Sequence, residues 1–252
     1  MALKLRQKVT IILLALYWPV LFALAHIPIP QLVQEAGVSD KSVHFLSYLI
    51  LVFFLWFSFN FDRKVVWRRA SVWLVLFLIV LYAVFDEFSQ TFVGRTCDVM
   101  DFTTDIVGVL TGLVMFSIFG FWSSALLVTG IVIFGVTNIA RTNLAEVMSV
   151  ANALFNFFGY GLFTIVWICR VRLSCPQNVT KSRWLLSVLV VPMVFLLFVR
   201  LFSSIIGRSF DVSGTVLSVM AIVIVTGVVF ILSLTCKLPT VGQERHRGTT
   251  QE

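Results

Sequence analysis

The sequence predicts an all-α fold: a polytopic integral membrane protein of about eight transmembrane helices, read as two parallel repeats of four. Three observations predict it. Of the 252 residues, 59% are hydrophobic and 12% charged, with a mean hydropathy of +1.00, where a soluble domain has ~45–50% and ~25%. The apolar residues come in runs close to the ~20 residues that cross a bilayer. Backbone in lipid must satisfy its polar groups within its own segment, so each run is a helix. Finally, basic residues stand in small groups between the runs, as in cytoplasmic loops. That distribution tells against reading the net charge of +7 as a nucleic-acid surface.

The first span is placed at 10–29, after Lys4, Arg6 and Lys8. This start could be a signal peptide ending at Ala23-Leu-Ala25, but the apolar run exceeds a ~7–15-residue signal core. A retained helix is therefore expected. Further spans follow at 43–61, 72–91, 100–120, 121–139, 149–169, 184–203 and 214–235. Spans four and five meet at Phe119-Gly120-Phe121-Trp122 with little linker. The polar residues from Lys237 to Glu252 are expected to form a flexible cytoplasmic tail. With the N-terminus inside, fourteen of the nineteen Lys and Arg residues fall on the cytoplasmic side. This bias predicts a multi-pass protein of the plasma (inner) membrane with both termini cytoplasmic. Cys97, Cys169, Cys175 and Cys236 show no paired spacing, hence no disulfide framework or zinc site.

Residues 20–48 align with 132–160 at an offset of 112. Val20-Leu-Phe22 meets Val132-Ile-Phe134, and His44-Phe45-x-x-Tyr48 meets Asn156-Phe157-x-x-Tyr160. At an offset of 113, Gly94-Arg95-x-x-Asp98-Val99 meets Gly207-Arg208-x-x-Asp211-Val212. We read a duplication into a membrane unit at 1–120 and a second at 121–236, followed by the tail at 237–252. Four spans per unit keep the two in the same orientation, hence parallel repeats. Lys41, His44, Glu87, Gln90 and Asp101 face Ala153, Asn156, Arg200, Ser203 and Gly214, so the second unit reads as a degenerate copy.

Ionisable groups of the first unit converge on one depth. At ~1.5 Å per residue, Glu87 lies ~24 Å from the cytoplasmic start of span three. His44 lies ~26 Å from the inner end of span two, and Asp105 ~23 Å from that of span four. All three sit just inside the outer edge of a ~30 Å hydrocarbon core. Lys41, His44 and Tyr48 follow i, i+3, i+7, as do Asp98, Asp101 and Asp105, so each set shares a helical stripe. Gly108 and Gly112 form G-x-x-x-G, which lets another helix approach closely. Each residue also has a plainer reading. Lys41 can snorkel to headgroups, Asp98 can be an N-cap, and Arg95 can pair with a carboxylate or a lipid phosphate. Collectively the acids Asp86, Glu87, Asp98, Asp101, Asp105 and the more distant Asp40 outnumber Lys41, Arg95 and His44. Charge in a span is costly unless it pairs or binds something.

At these residues the chain resembles the VanZ-like family of bacterial membrane proteins, over about residues 10–120. The resemblance is carried by Lys41-x-x-His44-Phe45-x-x-Tyr48, Asp86-Glu87-x-x-Gln90, Gly94-Arg95, Asp98-x-x-Asp101, and Gly108 with Gly112. The family often has Asn where this chain has Asp105. The family's name comes from a member linked to teicoplanin resistance. The resemblance implies a bacterial envelope setting rather than a particular reaction, and no resistance role for this chain.

Three functions compete. In an enzyme acting on a lipid-linked or glycopeptide-related envelope molecule, His44, Glu87, Asp101 and Asp105 are the catalytic candidates. Lys41, Tyr48, Gln90, Arg95 and Asp98 would bind substrate, with Arg95 holding a phosphate or carboxylate. Asp101 and Asp105 would orient His44 or hold a hard cation such as Mg²⁺. No residue is assigned as a metal ligand outright and no cofactor is assigned. Neither G-x-S-x-G nor H-E-x-x-H occurs. A non-catalytic scaffold would use the same cleft for binding alone. A transporter would need ionisable groups along the path, but here they gather at one edge. Membrane lipids and a lipid-linked envelope substrate are the expected partners.

Overall fold

The computed structural model describes residues 5–26, 40–60, 63–93, 98–139, 149–174, 181–208 and 210–235. Among them are eight α-helices and no strand. They are α1 Leu5–His26, α2 Asp40–Phe59, α3 Ala70–Gln90, α4 Val99–Ile118, α5 Phe121–Ile139, α6 Ser149–Ser174, α7 Lys181–Ile205 and α8 Val212–Thr235. A single 3₁₀ turn, Thr91–Val93, follows α3. All eight helices are long and apolar enough to cross a membrane, so the chain is a polytopic all-α membrane protein. The expected tail lies outside the described residues.

Several helices extend beyond the apolar runs. α2 begins at Asp40 rather than residue 43, which brings Asp40 and Lys41 onto the helix that carries His44. α6 continues through Arg170 and Arg172, because a helix needs no apolar side chains once it leaves lipid. The ambiguous junction after α4 is a sharp break. Phe119 turns extended (φ −104°, ψ 144°) while its N–H still reaches the Met115 carbonyl. α5 then starts with the Ser124 N–H donating to Gly120 O at 2.9 Å.

α2 is the helix that the others surround: 61% of its apolar window is buried inside the protein, against 11–39% for the remaining spans. It packs on α1 and α4, and meets the second half through α5. The second half follows the same order, with α6 packed on α5 and α8. α4 lies close on α2 because Gly108 and Gly112 carry no side chain. A Cβ at Gly108 would stand 2.6 Å from the Phe45 carbonyl oxygen, and one at Gly112 2.5 Å from a Val52 methyl. The Phe53–Phe57 stretch is packing surface. Phe53, Trp56 and Phe57 are buried, and the Trp56 Nε1–H donates to Arg63 O at 3.0 Å. α1 is tied to α2 at two levels, by Gln7 Nε2 donating to Ser58 O and Tyr17 Oη to Ser47 O, both at 2.9 Å.

Candidate functional site

The polar cluster forms where the starts of α2 and α4 meet the end of α3. The start of α4 is fixed by Asp98, whose extended backbone and side chain cap the helix by accepting from the Met100 N–H at 2.8 Å. With the helix so started, Asp101 and Asp105, one turn apart, both face α2. The glycine contact that begins one turn after Asp105 holds that face close.

His44 is the hub. Its Nδ1 lies 3.0 Å from Asp105 Oδ1. Its Nε2 lies 3.9 Å from Asp40 Oδ1 and 4.0 Å from Asp101 Oδ2. One imidazole thus faces carboxylates through both ring nitrogens. Glu87 of α3 completes the inner side, for one ligand-type atom each from His44, Glu87 and Asp105 lies within 4.8 Å of the others. The same holds for Asp40, His44 and Asp101. Either trio could hold a cation, the first fully buried and the second nearer the surface. Asp105 is 0% and Glu87 4% exposed, so the inner trio is out of bulk water.

Three of the acids, one from α3 and two from α4, are incompletely satisfied. Glu87 Oε2 accepts from the Asp98 N–H at 3.3 Å, but Glu87 Oε1, Asp101 Oδ1 and Asp105 Oδ2 are buried with no hydrogen-bond partner. The hydroxyl of Tyr48, one turn deeper than His44, is in the same state. Buried polar groups without partners are rare, and each points to a water, an ion or a functional role.

His44, Glu87, Asp101 and Asp105 are therefore brought together, with Tyr48 buried beneath His44. Gln90 is also buried, donating through Nε2 to Asp86 Oδ2 at 3.3 Å. Asp98 caps α4 with its side chain, the plainer of its two readings, and its backbone N–H serves Glu87. Lys41 is exposed and lines a groove with Phe45, Thr104, Ile131 and Phe134. Arg95 lies outside the described residues. Asp40, expected to be distant, sits on the outer side of His44, because α2 starts earlier than its apolar run. Sequence reasoning missed His26, at the end of α1. Its Nε2 is 2.8 Å from Ser89 Oγ, and its Nδ1 is 2.8 Å from Phe22 O and 4.0 Å from Asp86 Oδ1. The depth count applied to the other spans would have found it.

The corresponding place in the second half holds a different set of groups. Arg200 Nη2 donates to Asn156 Oδ1 at 2.9 Å, and Ser218 Oγ to the same oxygen at 3.3 Å. Ser218 stands 113 residues after Asp105, as Arg200 does after Glu87. Arg200 Nη1 lies 3.8 Å from Asp211 Oδ2. Asp211 caps α8, accepting from the Gly214 N–H at 2.8 Å and the Ser213 hydroxyl at 2.9 Å, and also takes the Asn152 amide at 2.8 Å. Burial pushes the Asp211 carboxyl up, but these donors and the Arg200 charge outweigh it and hold the group below its ordinary range. Arg208 closes the end of α5, donating to Thr137 O and Asn138 O at 3.0 and 2.6 Å. Arg200 thus pairs with Asp211, while Arg141 and Glu146 lie outside the described residues.

Fold and site together define a multi-pass helical membrane protein with an imidazole–carboxylate cluster at one end of its first four helices. Residues 6–120 match the model of the VanZ/LLP1 family, so this part of the chain is similar to that family. No curated protein and no solved structure matches the chain.

Proposed function

We propose that the protein works at the outer leaflet of the bacterial inner membrane, binding and acting on a lipid-linked envelope molecule through the His44 cluster, with both termini in the cytoplasm. The observation that carries this reading is the 3.0 Å contact between His44 and Asp105, buried among further carboxylates from separate helices. A buried imidazole held by carboxylates can serve as a general base or as a ligand to a cation, the acids fixing ring orientation and tautomer. Glu87 and Asp101 flank it, and the exposed Lys41, one turn before His44 on α2, can meet an anionic headgroup. The positive-inside count supports this orientation. The second half we read as a degenerate copy: its helices pack in the same order, and Asn156, Arg200 and Ser218 meet where His44, Glu87 and Asp105 do.

Transport fits less well. Inward from the cluster the core is filled by Leu49, Val52, Leu55, Ile79, Val109 and Leu113, none more than 2% exposed. Among the described residues no polar track continues toward the other face.

The test uses full-length protein in nanodiscs with a polyprenyl-diphosphate-linked sugar as probe. His44→Ala should abolish turnover while leaving affinity within a few-fold if the protein is an enzyme, and should weaken affinity itself if it is a binder. Wild type that neither binds nor alters the probe, or a variant equal to wild type in both respects, overturns the reading.

A further inference from the structure

Two carboxylates of the first-half cluster, from different helices, each keep one unsatisfied buried oxygen. Glu87 Oε1 and Asp105 Oδ2 are both buried without a hydrogen-bond partner, and both belong to the trio whose ligand-type atoms lie within 4.8 Å of one another. Bonds of ~2.0–2.6 Å to a divalent ion leave any two of its ligand atoms no more than ~4–5 Å apart. The 3.0 Å between His44 Nδ1 and Asp105 Oδ1 suits a hydrogen bond. It equally suits two neighbouring ligands of one ion, since bonds of ~2.1 Å at right angles place their atoms about 3 Å apart.

Charge favours the ion. Two carboxylates and a neutral imidazole carry −2, so a divalent cation leaves the buried trio neutral at a depth where net charge is expensive. The outer pair completes the arrangement. With Nδ1 turned to the ion, Nε2 carries the proton and faces Asp40 Oδ1 and Asp101 Oδ2 at 3.9 and 4.0 Å. An outer carboxylate that fixes a ligating histidine's tautomer is a regular companion of such sites. One imidazole with two carboxylates suits a first-row ion such as Mn²⁺ or Zn²⁺ better than Mg²⁺ or Ca²⁺, which prefer oxygen ligands alone.

We propose that His44, Glu87 and Asp105 bind one divalent first-row metal ion, with Asp101 and Asp40 orienting His44 from outside. Sequence reasoning assigned no metal ligand, because three residues on three separate spans form no local motif. The inference concerns the cluster of the proposed function, but its test needs no envelope molecule, so either can fail alone.

Full-length protein in nanodiscs is stripped with chelator and titrated with Mn²⁺, bound ion being read by electron paramagnetic resonance and displaced with Zn²⁺. Wild type should take up one Mn²⁺ per chain, released by Zn²⁺. Glu87→Gln and Asp105→Asn, near in shape to the originals, should lose this binding, with their folds checked by circular dichroism and gel filtration. Asp101→Asn should weaken it ~10–100-fold, as loss of an outer partner does. Asp211→Asn in the second half should leave it unchanged. Wild type that holds no Mn²⁺, or folded Glu87→Gln and Asp105→Asn variants that bind as wild type does, would overturn the proposal.

Discussion

Gly108→Ala tests whether the α2–α4 contact positions the cluster. The added methyl would stand 2.6 Å from the Phe45 carbonyl oxygen, and ordinary contact begins at about 3.4 Å, so the helices must separate there by about 0.8 Å. The obstacle is backbone and cannot rotate aside. Overpacking costs ~1–3 kcal/mol, and the gain in helix propensity from Gly to Ala is ~1 kcal/mol. With a carbonyl as the obstacle, a net loss of ~1–2 kcal/mol is expected. The functional loss should exceed the stability loss. Phe45 follows His44 directly and Asp105 lies one turn before Gly108, so most of the displacement passes to the 3.0 Å His44–Asp105 contact. That contact would open beyond ~3.5 Å and cease to be a hydrogen bond. Denaturant unfolding in detergent and binding of the sugar-lipid probe are compared for wild type, Gly108→Ala and Gly120→Ala, the last having nothing within 4 Å of its added methyl. Gly108→Ala as stable as wild type with undiminished probe binding would refute the claim that this contact sets the site's geometry.

Asn156→Leu removes the partner of Arg200 Nη2 and of Ser218 Oγ and should cost ~1.5–3 kcal/mol in the same unfolding assay, as loss of a hydrogen bond to a buried charge does. Because the Asp211 carboxyl is held below its ordinary range, its stabilisation is full above the unfolded value and fades as pH falls through the folded one. The stability gap between wild type and Asp211→Asn should therefore stay flat on acidification until about pH 4 and shrink below it, read by unfolding at a series of pH values. Gly207 has φ +80°, and Gly207→Ala should lower stability by ~1–2 kcal/mol, the cost of a left-handed backbone to an L side chain. A melting temperature unchanged in that variant would show the turn to be strain-free.

The spans were legible because lipid imposes one rule on all of them, and the convergence of His44, Glu87 and Asp105 because a helix rises by a fixed amount per residue. Gly108 and Gly112 were legible as a contact but not in their partner, which only the packing of α4 on α2 identifies. Other features left weaker traces. Asp40 stands at a helix start, where the apolar pattern begins later than the helix does, and His26 lies inside the first apolar run, whose depth was not counted. Asn152 and Ser218 escaped notice because neutral side chains in a span carry no charge penalty to mark them. Asp98 shared a stripe with two functional candidates, yet an acid before the first helical turn is claimed first by the backbone N–H groups there. Lys41 shared the stripe of His44 as well, but the first turn of α2 has too few neighbours to bury it.

The second half packs its helices in the same order as the first but gathers different groups where they meet. Asp211, the described carboxylate of the second half, accepts from Asn152, Ser213 and Gly214 and has Arg200 beside it. Such a group is already stabilised and gains little from a ligand. Asp105 occupies a more deeply buried place, yet one of its oxygens has only His44 and the other has no partner. Evolution toward stability alone would favour neutral, mutually bonded groups like Asn156 and Ser218 at these positions, since an incompletely paired buried acid is costly. Retaining His44, Glu87 and Asp105 is therefore hard to explain as packing. Replacing the trio with Asn, Arg and Ser, as found at 156, 200 and 218, should yield a protein at least as stable as wild type and without the activity of the site. A hybrid of that kind that was both less stable and still active would show that the cluster serves the fold.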